Sequence, residues 1–247
     1  MLALIFLIII TVINLKFFDY SKLEDKLKIY LINLDNNNRR LYSFKQEFNN
    51  TDLKRIGWTR FSAINGREIN LKNYLSEVLY DEVINNESNG YRTSHPQLTK
   101  GAVGCFLSHV GIYRLMLAEN VKYGLILEDD VQFIQKDILN TLNKIIQDVP
   151  YDWDLILLGH RTYKFENNPG NFYKVRRFYL LHAYIINKKG INKILTYIQQ
   201  NPLDKQFDHY LSDMASKNQL NIYATKKQYA RQNRKFKTQI QLPVRVL

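Results

Sequence analysis

Cysteine occurs once in this 247-residue chain, at Cys105, so no internal disulfide can form and a cysteine-rich metal centre is excluded. Inside GAVGCFLSHV the lone thiol reads as a small buried apolar side chain. Acidic residues are missing after Asp213, while Lys217, Lys226, Lys227, Arg231, Arg234, Lys235, Lys237 and Arg245 add eight cations there. Such a stretch suits a solvated tail, an anionic lipid surface or an anionic phosphate ligand, and it contributes to the net charge of +12. No nucleic-acid recognition motif accompanies it, so nucleic acid is not an expected partner. A Gly-rich phosphate loop and a second carboxylate cluster are also absent, which leaves a nucleotidyltransferase or phosphohydrolase without support. There is no internal repeat.

What is present begins with MLALIFLIIITVINL, almost wholly apolar, without a basic start or a small-residue cleavage site. Residues 1–18 are therefore predicted to be an uncleaved single-pass membrane anchor, its side of the membrane open, and 19–27 a charged linker. A globular body is predicted over 28–234 and a basic tail over 235–247. Apolar content of 45% is ample for its core. KIYLINL, RFSAI, YGLIL, DLILL (ending at Gly159-His160), FYLLHAYII and NIYA read as strands. RRLYSFKQEF, the block after Thr99 (a plausible N-cap), 137–148, GINKILTYI and FDHYLSDMAS read as helices. In the block after Thr99, Val103, Phe106, Leu107, Val110 and Leu117 share one face. The stretch 70–98 is polar and irregular, with a short helix near 70–80. Alternating strands and helices predict an α/β sandwich with a largely parallel sheet, whose ligands bind beyond the carboxyl ends of the strands.

At one such end stands LILEDDVQF, in which apolar residues run into Glu128, Asp129 and Asp130. Side chains alternate along a strand, so Glu128 and Asp130 point one way and Asp129 the other. Two carboxylates on one side can share a divalent cation, and oxygen-only ligation suits Mg²⁺ or Mn²⁺. The triplet alone is equally compatible with a solvated turn or a helix cap.

The neighbouring segments narrow that choice. IYLINLDNNNRR, FSAINGREI, LTKGAVGCFLSHVGIYRLML, YGLILEDDVQF, DWDLILLG, AYIINKKGINKIL and FDHYLSDM follow in an order and spacing that resemble glycosyltransferase family 25. The most specific parts are the Lys-Gly…Gly-Cys…Ser-His block and the Glu-Asp-Asp triplet after it. The resemblance implies a glycosyltransferase-A (Rossmann-like) fold, a UDP-sugar donor, galactose as the commonest sugar, and net inversion. It implies Mn²⁺ or Mg²⁺ held by Asp130 with Glu128. It implies a nucleotide-sugar site of Asn33, Leu34, Asp35, Arg39, Arg40, Glu128 and Asp129, supplemented by Lys100, which reads equally as a plain surface lysine, or by basic residues of the 226–235 segment folding over the site. Asp208 is the implied general base, with Asp204 and Asp213 as rivals, and His160 and His209 are candidates for metal or substrate contact. The acceptor would be a glycan, as in lipopolysaccharide biosynthesis, a lipid-linked oligosaccharide or a hydroxylysine-type hydroxyl. DNNNRR departs from the family, where Arg and Pro often follow the Asp. The alternative is a catalytically inactive domain of the same family serving as a membrane-tethered scaffold or adhesion module. Ser108-His109 suggests a hydrolytic dyad, but adjacent helical residues point apart.

Overall fold

The structure, a computed structural model, describes residues 23–167 and 170–245. The predicted anchor, 1–18, lies outside the described residues. Leu23 and Leu27 are already buried, packing near Phe44, Phe48 and Leu53, so the body begins within the expected linker.

The strands are β1 (Leu27–Asn33), β2 (Thr59–Ser62), β3 (Tyr123–Glu128), β4 (Val131–Phe133), β5 (Leu155–Asn167), β6 (Phe172–Asn187), β7 (Ile222–Thr225) and β8 (Ala230–Gln232). Six of them form one sheet in the order β2-β1-β3-β6-β5-β7, and β4 pairs with β8 apart from it. β1 is parallel to β2 and β3, and β5 to β7, while β6 runs against its neighbours. This is the expected α/β fold with a mostly parallel sheet. The helices are α1 (Asn38–Asn49), α2 (Glu77–Asn89), α3 (Lys100–Ala118), α4 (Ile138–Asp148), α5 (Lys188–Gln200) and α6 (Phe207–Ser216).

Strand alternation divides the core between the two faces of the sheet. Tyr30, Ile126, Tyr184 and Ile186 pack with residues of α3, α5 and α6, whereas Ile29, Leu31, Leu125 and Ile185 pack with those of α1 and α4. A sheet covered on both sides needs apolar residues at successive positions, which is why its strands read as continuous runs. Thr99 caps α3 as expected, its Oγ1 accepting the Ala102 N–H at 3.0 Å. The burial of α3 is broader than one face. Ser108, His109 and Tyr113 are buried too, while Leu107 is only half-buried, because the helix is covered by the sheet, by α6 and by the loop after β2. Its apolar length would also suit a membrane span, but here it serves the core.

Three segments differ from expectation. The stretch 70–98, expected to be irregular with a short helix near 70–80, carries the 13-residue helix α2, which Ser76 caps. β5 does not stop at His160; it continues to Asn167 and forms a long hairpin arm with β6. Cross-strand aromatic pairs hold the arm, Tyr163 on Tyr179 at 4.7 Å and Phe165 on Tyr173 at 4.3 Å between ring centroids. The expected basic tail is also packed against the body, through Arg245. Arg92, fully buried, donates from its guanidinium to the carbonyls of Leu242 at 3.0 Å and His95 at 2.6 Å, and its backbone N–H donates to Pro243 at 2.8 Å. Residues 233–245 thus form a strap across the body rather than a solvated tail.

Candidate functional site

The apolar run of β3 delivers Glu128 to the carboxyl edge of the sheet, beside the end of β1, and Asp129-Asp130 turn the chain into β4. Two cavities meet at this edge. The first is lined by Asn33, Leu34, the 63–67 loop, Glu128 and Asp129. The second, of about 310 Å³, is lined by Glu128, Asp130, His109, Phe207, Asp208 and the strap. Arg40, Cys105, Glu128, Gln239 and Ile240 border both.

The three acids of the triplet have different partners. Asp129 accepts from Asn33 Nδ2 at 2.7 Å and from the Arg40 guanidinium at 2.8 Å. Arg40 itself is buried, donates to the Lys237 carbonyl at 2.7 Å and lies over the Phe236 ring, which ties the triplet to the strap. Glu128 and Asp130 face the second cavity with far less compensation. Burial, then the charges of Asp129 and Asp208, push the Glu128 carboxyl up to about 7 against the pull of Arg40. Burial and Glu128 push Asp130 up to about 7 likewise. Among the described residues Asp130 Oδ1 is buried without a hydrogen-bond partner, and Arg40 stands 3.7 Å from the other oxygen. Carboxylates so placed gain from a shared divalent cation, so this pair fits Mn²⁺ or Mg²⁺. A second donor set, Cys105, His109 and Glu128, has ligand atoms within 4.8 Å of one another. With a thiol and an imidazole beside one carboxylate, that set is softer than the oxygen ligands Mn²⁺ and Mg²⁺ take.

The geometry also explains the Lys-Gly…Gly-Cys…Ser-His block. A Cβ on Gly101 would stand 2.6 Å from the Gln239 carbonyl oxygen, so glycine lets the strap lie on α3. A Cβ on Gly104 would meet the Ile64 carbonyl at 2.3 Å, so glycine admits the loop that walls the first cavity. Ser108 clamps the same loop, accepting the Ile64 N–H at 2.8 Å and donating to the Gly104 carbonyl at 2.7 Å. His109 Nδ1 lies 2.8 Å from the Tyr184 hydroxyl, and burial pushes the ring down to about 3. No dyad exists. Cys105, expected as a plain buried side chain, borders both cavities.

Asn33, Leu34, Arg40, Glu128 and Asp129 all line the first cavity; Asp35, Arg39 and Lys100 do not. Asp35 is an exposed carboxylate engaged by Arg60 and Ser62 at 2.7 Å each, which hold it below its ordinary range. Arg39 is exposed beside the Phe236 ring, and the Lys100 backbone N–H caps on Glu87 at 3.0 Å. Asp208 lies in the second cavity. Its Oδ2 accepts the Leu180 N–H at 3.1 Å and its Oδ1 the His209 N–H at 2.8 Å. Its rivals sit elsewhere: Asp204 and Asp213 both pair with Lys205, and Asp213 also with Arg177. His209 leans on Asp208 at 3.0 Å, whereas His160 is satisfied by Thr162 and the Thr225 carbonyl. Sequence reasoning missed Arg60, Arg67, Arg92 and Gln239; it offered the basic run as a segment folding over the site, but no local pattern marks the residues that fasten it.

The family model described as "Glycosyltransferase family 25 (LPS biosynthesis protein)" matches residues 26–211. A Drosophila melanogaster glycosyltransferase 25 family member is 28% identical over 72% of this chain and 28% of its own length. Procollagen galactosyltransferase 1 of Danio rerio is 28% identical over 66% of this chain and 27% of its own. The chain thus spans little more than a quarter of these relatives. Among solved structures, UDP-glucose pyrophosphorylase complexed with UDP-glucose aligns over 82% of this chain and 90% of that one, with TM-score 0.42 and 11% identity.

Proposed function

This chain belongs to glycosyltransferase family 25, and we propose that it is a cation-dependent, inverting hexosyltransferase that moves a sugar from a UDP-sugar to an acceptor hydroxyl. Galactose is the proposed sugar, since the Danio rerio relative is named a procollagen galactosyltransferase. The observation that carries the proposal is the meeting of Glu128, Asp130 and Asp208 in one cavity that opens onto Asn33 and Leu34.

In this reading the first cavity receives the nucleoside against Ile32, Leu34 and the 63–67 loop. Glu128 and Asp130 would hold Mn²⁺ or Mg²⁺, which when bound acts as a Lewis acid on the departing diphosphate. Arg40, fixed by Asp129 and the Lys237 carbonyl, adds a positive charge whose position needs no reorganisation during reaction. Asp208 is held by two backbone N–H groups and keeps lone pairs free to accept the acceptor hydroxyl's proton. The acceptor oxygen then forms the new bond to the anomeric carbon as the bond to the diphosphate breaks, and its electron pair leaves with the UDP. Attack from the face opposite the leaving group inverts the centre. Phe207 and the strap residues Phe236 and Ile240 limit water in the same space.

The test is UDP release from UDP-galactose and UDP-glucose with Mn²⁺ and a panel of glycan and hydroxylysine acceptors. Asp208→Asn should lower kcat by about 10²–10⁴-fold while UDP affinity holds. A protein that neither binds UDP nor turns over any UDP-sugar contradicts the proposal. Residues 1–18 are kept as an uncleaved anchor in the proposal; a mature terminus beyond residue 16 contradicts that part.

A further inference from the structure

Beside the second cavity lies a larger hollow, of about 940 Å³, whose charge is opposite in sign. Arg161, Arg231, Arg234 and Lys235 line it, and no carboxylate does. Among the described residues none of the four is paired with an acid. Four unneutralised cations around one concavity repel one another, so the hollow is set up for an anion.

Its origin is a bulge in the sheet. The β5–β6 register passes from Arg161 opposite Tyr179 to Gly159 opposite Ala183, which sets Leu180, Leu181 and His182 against His160 alone. Leu180 takes φ of 72°, a left-handed conformation costly for a leucine. The bulge bends the two strands, and both its histidines face the hollow. His160 has its hydrogen bonds made within the protein. His182, only 1% exposed, has neither ring nitrogen in a well-formed hydrogen bond. Its ring lies beside the Ala230 carbonyl without such a bond, and a hydroxyl or anion in the hollow would complete it.

The hollow is continuous with the site already described. Leu180, Gln232, Asn233 and Arg234 border both it and the cavity of Asp208, and the Leu180 N–H holds the Asp208 carboxylate. It lies apart from Asn33, Leu34 and the 63–67 loop, which border only the first cavity. Gln132 and Gln232 add amide groups of the kind that bind sugar hydroxyls.

We propose that this hollow is an acceptor subsite for an anionic sugar, one bearing a phosphate or carboxylate within reach of Arg161, Arg231 and Arg234. The proposal rests on the transferase reading and narrows it: the acceptor is an acidic glycan, its charge held in the hollow and its reacting hydroxyl turned toward Asp208. A neutral acceptor would satisfy the neutral His182 ring through its hydroxyls but would leave the four cations uncompensated.

Binding alone tests this, without turnover. Saturation-transfer NMR and calorimetry on the intact protein would compare glucose 6-phosphate, glucuronic acid and glucose, each with and without saturating UDP and Mn²⁺. The phosphosugar, the uronic acid or both should bind, glucose should not, and UDP should not displace them. Added salt should weaken the interaction. An Arg161→Gln/Arg231→Gln double variant changes two exposed side chains and should fold normally; its affinity for the anionic sugar should drop roughly ten-fold or more while UDP binding is unchanged. Comparing the two acids identifies the anion as phosphate or carboxylate. Equal binding of glucose, displacement by UDP, or an unaffected double variant would each overturn the proposal. UDP titration reports separately on the donor site, so failure of the transferase reading is distinguishable from failure of this one.

Discussion

Asp130 and Asp208 share a cavity but differ in what their charges do. Asp130, the proposed cation ligand, has a buried oxygen with no partner and a carboxyl raised to about 7. Replacing it by Asn keeps the shape and removes one of the two charges available to hold Mn²⁺. Transfer should fall by roughly 10³-fold or more, in line with the several kcal/mol a Lewis acid supplies to a leaving diphosphate. Steady-state kinetics at saturating Mn²⁺ measures this, and normal transfer by Asp130→Asn would remove the cation assignment. Cys105→Ser provides the contrast. If the soft donor set held the metal, this variant would lose Mn²⁺ dependence as Asp130→Asn does. With oxygen ligands it should keep the dependence, losing only packing at the border of the cavities. The triplet shows how far residue types carry: Glu128 and Asp130 border one cavity, but Asp129 and Asp130 form the turn after β3, so strand alternation does not place them. Glu128 also borders the cavity of Asp129. Nor could alternation reveal that Asp129 is occupied by Arg40 and Asn33, because that ion pair joins residues 89 apart in sequence.

The strap was legible only as a basic segment able to fold over the site, without its path or its fixing points. Its polar, basic residues 233–241 have no helical or strand period, so they read as tail, yet Phe236, Gln239 and Ile240 wall the site. The fixing points are Arg92, from a stretch that read as irregular, and Gly101, from a motif that read as specific without a visible reason. Arg92→Ala deletes donors to the Leu242 and His95 carbonyls, and Gly101→Ala drives a methyl group against Gln239 although alanine favours a helix by about 1 kcal/mol. Both should release the strap. Limited proteolysis should cut after Lys235 or Lys237 in either variant well before the rest of the chain, and UDP binding should weaken. Equal protection in wild type and both variants would show that the strap is held by something else. The sheet strands, α1 and the cap of α3 were legible because apolar periodicity and capping are local signals. The β5–β6 arm was not, since its solvent-facing ribbon replaces an apolar run with spaced aromatics. Asp208 was legible only through resemblance, and its advantage over Asp204 and Asp213 rests on packing: Lys205 and Arg177 hold Asp213, and Lys205 also holds Asp204.

Across the whole molecule, buried ionisable groups set opposing pH dependences. Glu128 and Asp130 keep protons in the folded state up to about 7, whereas an unfolded chain releases them near ~4. Between those values the folded state binds more protons, so these two lower stability as pH rises from about 4 to 7, and the loss persists above. His109 and His182 act the other way. Burial pushes them down to about 3 and about 4, against ~6.5 unfolded, so their contribution is present above ~6.5 and lost as pH falls through that range. The two windows nearly coincide, so without divalent cations these contributions largely offset one another between about 4 and about 6.5, and the melting temperature should change little there. Mn²⁺ should raise it at pH 8, where both carboxylates are charged, and leave it unchanged at pH 5; equal stabilisation at both would place the ion elsewhere. The cation-held donor is the centre of the functional reading, and calorimetric titration of UDP tests it most directly. Wild-type protein should bind UDP in Mn²⁺, lose affinity about ten-fold or more in EDTA, and recover it when Mn²⁺ is restored, while Asp130→Asn should show little difference between the two conditions. UDP binding by the wild type with the same Kd in EDTA and in Mn²⁺ would contradict it.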